Sequence, residues 1–368
     1  MNRILLYILI IGTLYGCSSD NVPTPMIPEE EVSDMGSIVS FSSNISYETN
    51  VESRAGILEG SSLPQGSKIG IYALKTSWTN VNGEKLVQPV SWNETNFQYD
   101  FKNEPYVTEG NSGHFTSLNG SIGRFPTYDN AALKFYAYYP YTPEDIVFTS
   151  NGVNPSAPKL KVEIKDKADL TEDYLYTGKI DAYPTGDRTT INLSFKHALT
   201  RLQFNMYTKD INYTQTDCAL LTKIVLKTNY NQSGYMNIET GEIESVEGNN
   251  TELEYKLTEP YKIYNGRIDT KTGIEFLLIP SDNAIKEIIV YVQTNENEEA
   301  QPYTAYTQRK DGAKQLKAGA VYTVNVNYRT RANFECDITG WLDNTSSNGN
   351  FNIGEENNTE NDNFVRVE

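Results

Sequence analysis

The sequence predicts an all-β protein built as two β-sandwiches in tandem. Apolar residues recur with period two in many short runs, the pattern of half-buried strands. Those runs lie close together and are punctuated by Gly, Asn and Pro, the residues of turns. No amphipathic helical pattern extends beyond a few turns. Composition agrees: 26 tyrosines in 368 residues suit pleated, half-buried surfaces. The runs outnumber the strands of a single sandwich, so two are expected, with the seam between Asp187 and His197.

The chain opens with a targeting pattern. Arg3 precedes an uncharged, mostly apolar run over residues 4–14, which has the length of a secretory h-region and is too short to cross a bilayer. Leu14, Tyr15, Gly16 and Cys17 close it in a pattern that resembles a lipobox, although Tyr15 stands where a smaller residue is usual. Residues 1–17 therefore read as a lipoprotein signal peptide with Cys17 as the lipidation site. Several acyl chains on one cysteine suffice for stable anchoring. Residues 18–36 read as a flexible linker, stiffened by Pro23, Pro25 and Pro28 and solvated by Glu29, Glu30 and Glu31.

The N-terminal sandwich is expected over residues 37–192. Its strands start at residues 38–41 and continue at 67–74, where Ile69, Ile71 and Ala73 alternate with Lys68, Gly70 and Tyr72. Further runs are 131–141, 160–164, 173–177 and 189–195. The C-terminal sandwich, residues 193–343, repeats the texture at 199–207, 222–228, 252–257, 274–279, 287–293, 302–307, 321–328 and 334–341. Residues 344–368 form a polar tail rich in Asn, Gly and Glu. Two short patches interrupt it, Phe351-Asn352-Ile353 and Phe364-Val365-Arg366-Val367, each long enough to add a few residues to a sheet edge.

Charge and side-chain inventory narrow the function. A formal net charge of −17 disfavours nucleic acid and anionic headgroups as partners. The two histidines, His114 in a Gly/Ser loop and His197 at the end of a strand-like run, match no zinc-binding spacing. His114 is expected exposed and His197 half-buried against backbone groups. No nucleophile elbow or phosphate loop is present, and acidic neighbours such as Glu172 and Asp173 say nothing about spatial pairing among 48 carboxylates. The chain therefore reads as a non-enzyme without cofactor or metal. Cys218 and Cys336 are expected to be free, buried thiols. Trp78 and Trp92, placed in polar loops, would suit stacking on sugar rings, which leaves a glycan-binding surface lipoprotein for nutrient capture as the rival reading.

Several phrases converge on one family. Residues 133–140 (LKFYAYYP), 169–176 (DLTEDYLY) and 193–204 (LSFKHALTRLQF), followed by 276–280 (FLLIP), 316–324 (LKAGAVYTV) and 338–341 (ITGW), resemble the fimbrillin family of lipoprotein-precursor pilin subunits, in the family's order. The resemblance implies two tandem transthyretin-like, Greek-key sandwiches in a structural or accessory subunit of adhesive surface fimbriae. It implies as partners other fimbrial subunits, the outer membrane through lipid on Cys17, and a host or bacterial surface receptor. It also implies processing between Arg54 and Ala55, which would release residues 38–41 and open a groove for a strand of another subunit. The polar tail departs from the family's apolar donor segment, which leaves stalk, anchor and tip roles open.

Overall fold

A computed structural model describes residues 36–43, 63–110, 113–148, 155–165, 168, 171–228, 232–245, 252–281, 285–294, 297–308, 316–329, 332–340, 352–353 and 365–366. The described chain is all β, with short 3₁₀ turns such as those at Glu94–Asn96 and Pro143–Asp145. Its first strands are β1 (Ile38–Ser43), β2 (Lys68–Val81), β3 (Glu84–Val87), β4 (Phe97–Glu109), β5 (His114–Ser117) and β6 (Ala131–Tyr139). Then come β7 (Ile146–Val147), β8 (Lys159–Glu163), β9 (Leu175–Tyr176), β10 (Ile180–Ala182), β11 (Arg188–Leu193) and β12 (Lys196–His197). The second half supplies β13 (Thr200–Tyr207), β14 (Ala219–Thr228), β15 (Ser233–Asn237), β16 (Ile243–Ser245), β17 (Glu252–Ile263) and β18 (Lys271–Leu278). It closes with β19 (Ile285–Gln293), β20 (Gln301–Gln308), β21 (Ala320–Tyr328), β22 (Ala332–Gly340), β23 (Asn352–Ile353) and β24 (Val365–Arg366).

The N-terminal half forms a sheet of order β11-β1-β5-β4-β2-β6-β9-β12, with β10 added beside β6 and β3 beside β2. The C-terminal half forms two sheets, β18-β13-β21-β22 and β17-β14-β19-β20-β23, with β24 also on β20. A small sheet, β16-β15-β8-β7, draws strands from both halves. The two tail patches behave as expected: β23 pairs Thr307 and Gln308, and β24 pairs Tyr303 and Thr304, both on the edge strand β20.

Strands β2 and β6 separate two cores. Ile69, Ile71 and Ala73 of β2, with Leu133, Phe135 and Ala137 of β6, belong to a cluster drawn wholly from residues 39–195. The alternate residues, Tyr72 and Leu74 with Tyr136 and Tyr138, belong to a larger cluster that runs on through Phe204, Phe276 and Tyr328. Both faces of β6 are therefore buried, and its sequence is apolar at every position but Lys134. Lys134 meets Asp181 of β10 at 2.7 Å, which satisfies the buried ammonium. Each fully buried aromatic here contributes roughly 1.5–3 kcal/mol. Gly70 is required by packing: a Cβ there would lie 2.2 Å from the Tyr138 ring.

Candidate functional site: the slot held by the first strand

β1 is an interior strand. It runs parallel to β11, from Ile38 beside Arg188 to Ser43 beside Leu193, and antiparallel to β5 at Phe41 and Phe115. Sequence alone places strands at 38–41 and 189–195 but gives no sign that they pair, because about 150 residues separate them. Period-two alternation drives Val39, Phe41 and Ser43 inward and leaves Ile38, Ser40 and Ser42 partly exposed.

Phe41 is the anchor. It is 1% exposed and meets the rings of Tyr106, Phe135 and Phe101 edge-on at 5.0, 5.5 and 5.8 Å. Edge-to-face contacts align the positive ring edge with a negative face. The phenol of Tyr106 is pushed up by burial first, then by Glu104 and Asp100, so it stays neutral beside β1. Without β1 the slot would present Phe101, Tyr106, Phe115 and Ile191 to water.

Polar contacts fix the register at both ends. Ile38 N donates to Asp187 O at 2.8 Å, Val39 N to Gly123 O at 2.9 Å and Ser43 N to Gly113 O at 2.8 Å. Phe125 N donates back to Ser37 O at 3.0 Å, and Arg124 Nη1 reaches Gly36 O at 2.9 Å. On the outer face the Ser40 and Thr190 hydroxyls lie 2.9 Å apart. β1 is thus bonded along both flanks, and any strand replacing it finds two sets of backbone partners.

Cys17, Arg54, Ala55 and Trp341 lie outside the described residues. Arg54 and Ala55 follow β1 in the chain, between its last residue, Ser43, and the start of the next described segment at Leu63. His114 is exposed at the start of β5, beside Ser42 of β1. His197 departs from the expected half-buried, backbone-bonded state. It is 3% exposed, and its Nδ1 donates to Asp173 Oδ2 at 2.8 Å, because β12 pairs with β9 and brings Asp173 alongside. Cys218 is a free, half-buried thiol; the side chain of Cys336 is outside the described set. Among the described residues no three His, Cys, Asp or Glu side chains gather to hold a metal ion.

The tryptophans divide. Trp92 is not a loop platform: it is 5% exposed, its ring lies 4.5 Å from that of Tyr136, and its Nε1 donates to Glu239 Oε2 at 2.7 Å. Sequence placed it among polar neighbours, Ser91 and Asn93, which conceal a partner 147 residues away. Trp78 sits in β2, half-buried, under the Lys85 ammonium at 4.2 Å and beside Tyr183.

A fimbrillin-like family model matches residues 53–341. The chain belongs to the fimbrillin-like family. The matched region starts beyond β1 and ends before the tail. Fimbrium subunit Fim1C from Phocaeicola vulgatus is 27% identical over 248 residues, 63% of this chain; the match spans 59% of that relative. A solved candidate cell adhesion protein from Bacteroides uniformis, 18% identical, superposes with a TM-score of 0.53 over 83% of this chain and 99% of its own. A fimbrial protein from Bacteroides vulgatus, 16% identical, gives 0.51 over 74% and 92%. At these identities the superpositions speak for the shared β fold.

Proposed function

We propose that this fimbrillin-like chain is a structural or accessory subunit of surface fimbriae, acting without catalysis in cell adhesion. It leaves the cytoplasm by its signal peptide, is lipidated on Cys17 and is held to the outer membrane. Cleavage between Arg54 and Ala55 then cuts β1 loose from the rest of the chain. Departure of β1 opens the slot between β11 and β5, and a strand from another subunit fills it.

One observation carries this reading: β1 lies inside the sheet, anchored by Phe41, yet belongs to the chain before residue 53. An interior slot with an aromatic floor cannot persist in water, since its strand edges and its apolar surface both seek a partner. An incoming strand with inward apolar residues at i and i+2 would satisfy both, which is strand addition in physical terms. Because this chain's own tail is polar and its patches β23 and β24 lie on β20, the donor is a strand of another fimbrial subunit. The two halves act as tandem sandwiches, residues 37–192 receiving the donor and residues 193–343 carrying the tail.

The test is the N-terminus and mass of the mature protein recovered from the cell surface. A chain beginning at Ala55, found in sheared filaments, supports processing and strand exchange. An acylated Cys17 followed by an intact segment through Arg54 would overturn processing and leave an anchored adhesin.

A further inference from the structure

We propose that the C-terminal half carries a binding groove for a neutral hexose oligosaccharide, between the edge strands β17 and β18. The open groove has a volume of about 900 Å³, the size of a short oligosaccharide. The inference rests on the adhesive part of the proposed function and on none of its assembly steps.

Both edges beside the groove are built against strand addition. On β17 the register with β14 breaks between Leu221 and Lys223, which leaves residues 257–260 bulged, and Pro260 removes a donor. On β18, Glu275 pairs with Gln203 and Lys271 with Asn205, so three residues crowd opposite Phe204. Gly273 adopts a φ of +71° there. Thr272 Oγ1 donates to Phe204 O at 2.8 Å and accepts from Ile274 N at 3.1 Å. A peptide strand needs an unbroken ladder of free N–H and C=O groups, which neither edge presents. An extended polypeptide is therefore a poor occupant.

The lining suits a ring of hydroxyls. Asn205 Nδ2 donates to Asn325 Oδ1 at 2.9 Å and Gln203 Nε2 to Thr323 Oγ1 at 2.6 Å. These bonds fix both amides and offer their carbonyl oxygens as acceptors. Arg267 supplies donors from a fixed plane. Its guanidinium carbon lies 3.7 Å over the Tyr261 ring, and Nε and Nη1 donate to Asp269 O and Lys262 O, which leaves Nη2. Tyr261 is itself held by its hydroxyl, which donates to Asp269 O at 2.8 Å. The half-buried Tyr264 adds a second ring to the wall.

Charge selects a neutral ligand. Cations and carboxylates are interspersed along the lining, Lys262, Arg267 and Lys271 among Glu259, Asp269 and Glu275, and Glu275 is also bonded to Arg201 at 2.5 Å, so neither sign is concentrated at one point. Hydroxyls that both donate and accept match such a mixed set better than a carboxylate or phosphate does.

The test is an array probed with the full chain. It carries neutral di- to tetrasaccharides of glucose, galactose, mannose and N-acetylhexosamines, their sialylated and uronic-acid counterparts, and a peptide copying residues 36–43. Retention of a neutral oligosaccharide is expected. Asn205→Ala combined with Gln203→Ala, and separately Tyr264→Ala, should each weaken it at least tenfold in a chain that stays folded and unfolds cooperatively at the assay temperature; Trp78→Ala should leave it alone. Retention of no neutral sugar, retention that ignores all the groove variants, preference for the acidic sugars, or capture of the peptide in the groove would each overturn the proposal. A mature chain without an Ala55 terminus would sink the assembly reading and leave this result standing.

Discussion

Replacing Phe41 by Ala tests whether β1 holds the slot as drawn. Truncating a buried Phe costs about 3–5 kcal/mol when the cavity cannot collapse. Here collapse is hindered, because β11 and β5 brace the slot from both sides. Three rings also lose their edge-on partner, each such contact adding about 0.5–1.5 kcal/mol beyond area burial. The expected loss is therefore no less than the middle of that range, about 4 kcal/mol. At about 2–4 °C per kcal/mol, the transition that melts the sheet around β1 falls by about 8–16 °C. The assay is denaturant unfolding of the precursor chain, read as a lower midpoint at unchanged slope. Ser40→Ala is the control on the same strand. It loses one exposed hydroxyl contact, at 2.9 Å to Thr190, and should cost no more than about 1 kcal/mol. If Phe41→Ala costs no more than the Ser40 variant, β1 does not pack on this floor and the reasoning about an interior slot fails.

Three further outcomes follow from buried or paired groups. Trp92→Ala should destabilise the chain by about 3–5 kcal/mol while leaving sugar retention unchanged; loss of sugar binding at full stability would revive Trp92 as a platform. The Glu163 carboxyl is held down to about 2, chiefly by its hydrogen bond with Lys161 and next by Lys165. A depressed carboxylate contributes stability above its unfolded value of 4.5 that disappears as pH falls toward 2. Its side chain is 39% exposed, so solvent screens the pair and the slope should be shallow. Glu163→Gln should flatten the acid limb of stability in that window, and an unchanged limb would contradict the pairing. Burial pushes the phenols of Tyr139 and Tyr261 up to about 12. A raised group contributes stability below its unfolded value of 10.0 that is lost as pH rises toward 12, so alkaline unfolding should accompany phenolate absorbance at these sites. Titration of every tyrosine near pH 10 with near-ultraviolet dichroism intact would refute it.

The legibility of this chain followed period two. Residues 67–74 alternate cleanly and residues 131–141 form a strong apolar run, and β2 and β6 cover most of them. β4 escaped notice because bulges break its alternation. Its register with β2 shifts at Ile71, Tyr72 and Leu74, Asn103 takes a φ of +59°, and Pro105 sits mid-strand, where Pro normally argues against a strand. β15 reads SGYMN and has too few apolar residues to register as a run. The expected two-sandwich division overlooks the small sheet in which β8 pairs with β15, since no local signal announces a partner some 70 residues away. At the candidate site, the inward pattern of Val39 and Phe41 was readable, while the parallel partner β11 and the burial of Trp92 are products of tertiary contact alone.

The two cores explain how a chain of this kind could surrender a strand without unfolding. β1 packs only into the smaller cluster, whose members all lie within residues 39–195. The larger cluster gathers Tyr136, Leu160, Met236 and Val290 across both halves and owes nothing to β1. Pairing of β8 with β15 joins strands of the first and second halves in one sheet, and β13 pairs in parallel with β21 within the second half. Loss of β1 would therefore expose the aromatic floor around Phe101 and Phe135 while its reverse side, Tyr136 and Tyr138, stays buried. A floor braced from behind keeps its shape, so an incoming strand meets a preformed slot and pays little to order it. That asymmetry yields a further measurable consequence. Core amides of β13, β14 and β19 should keep their hydrogen-exchange protection after β1 is removed, while those of β5 and β11 lose it. Uniform loss of protection would mean that the two cores melt as one, and that exchange of the first strand demands global unfolding.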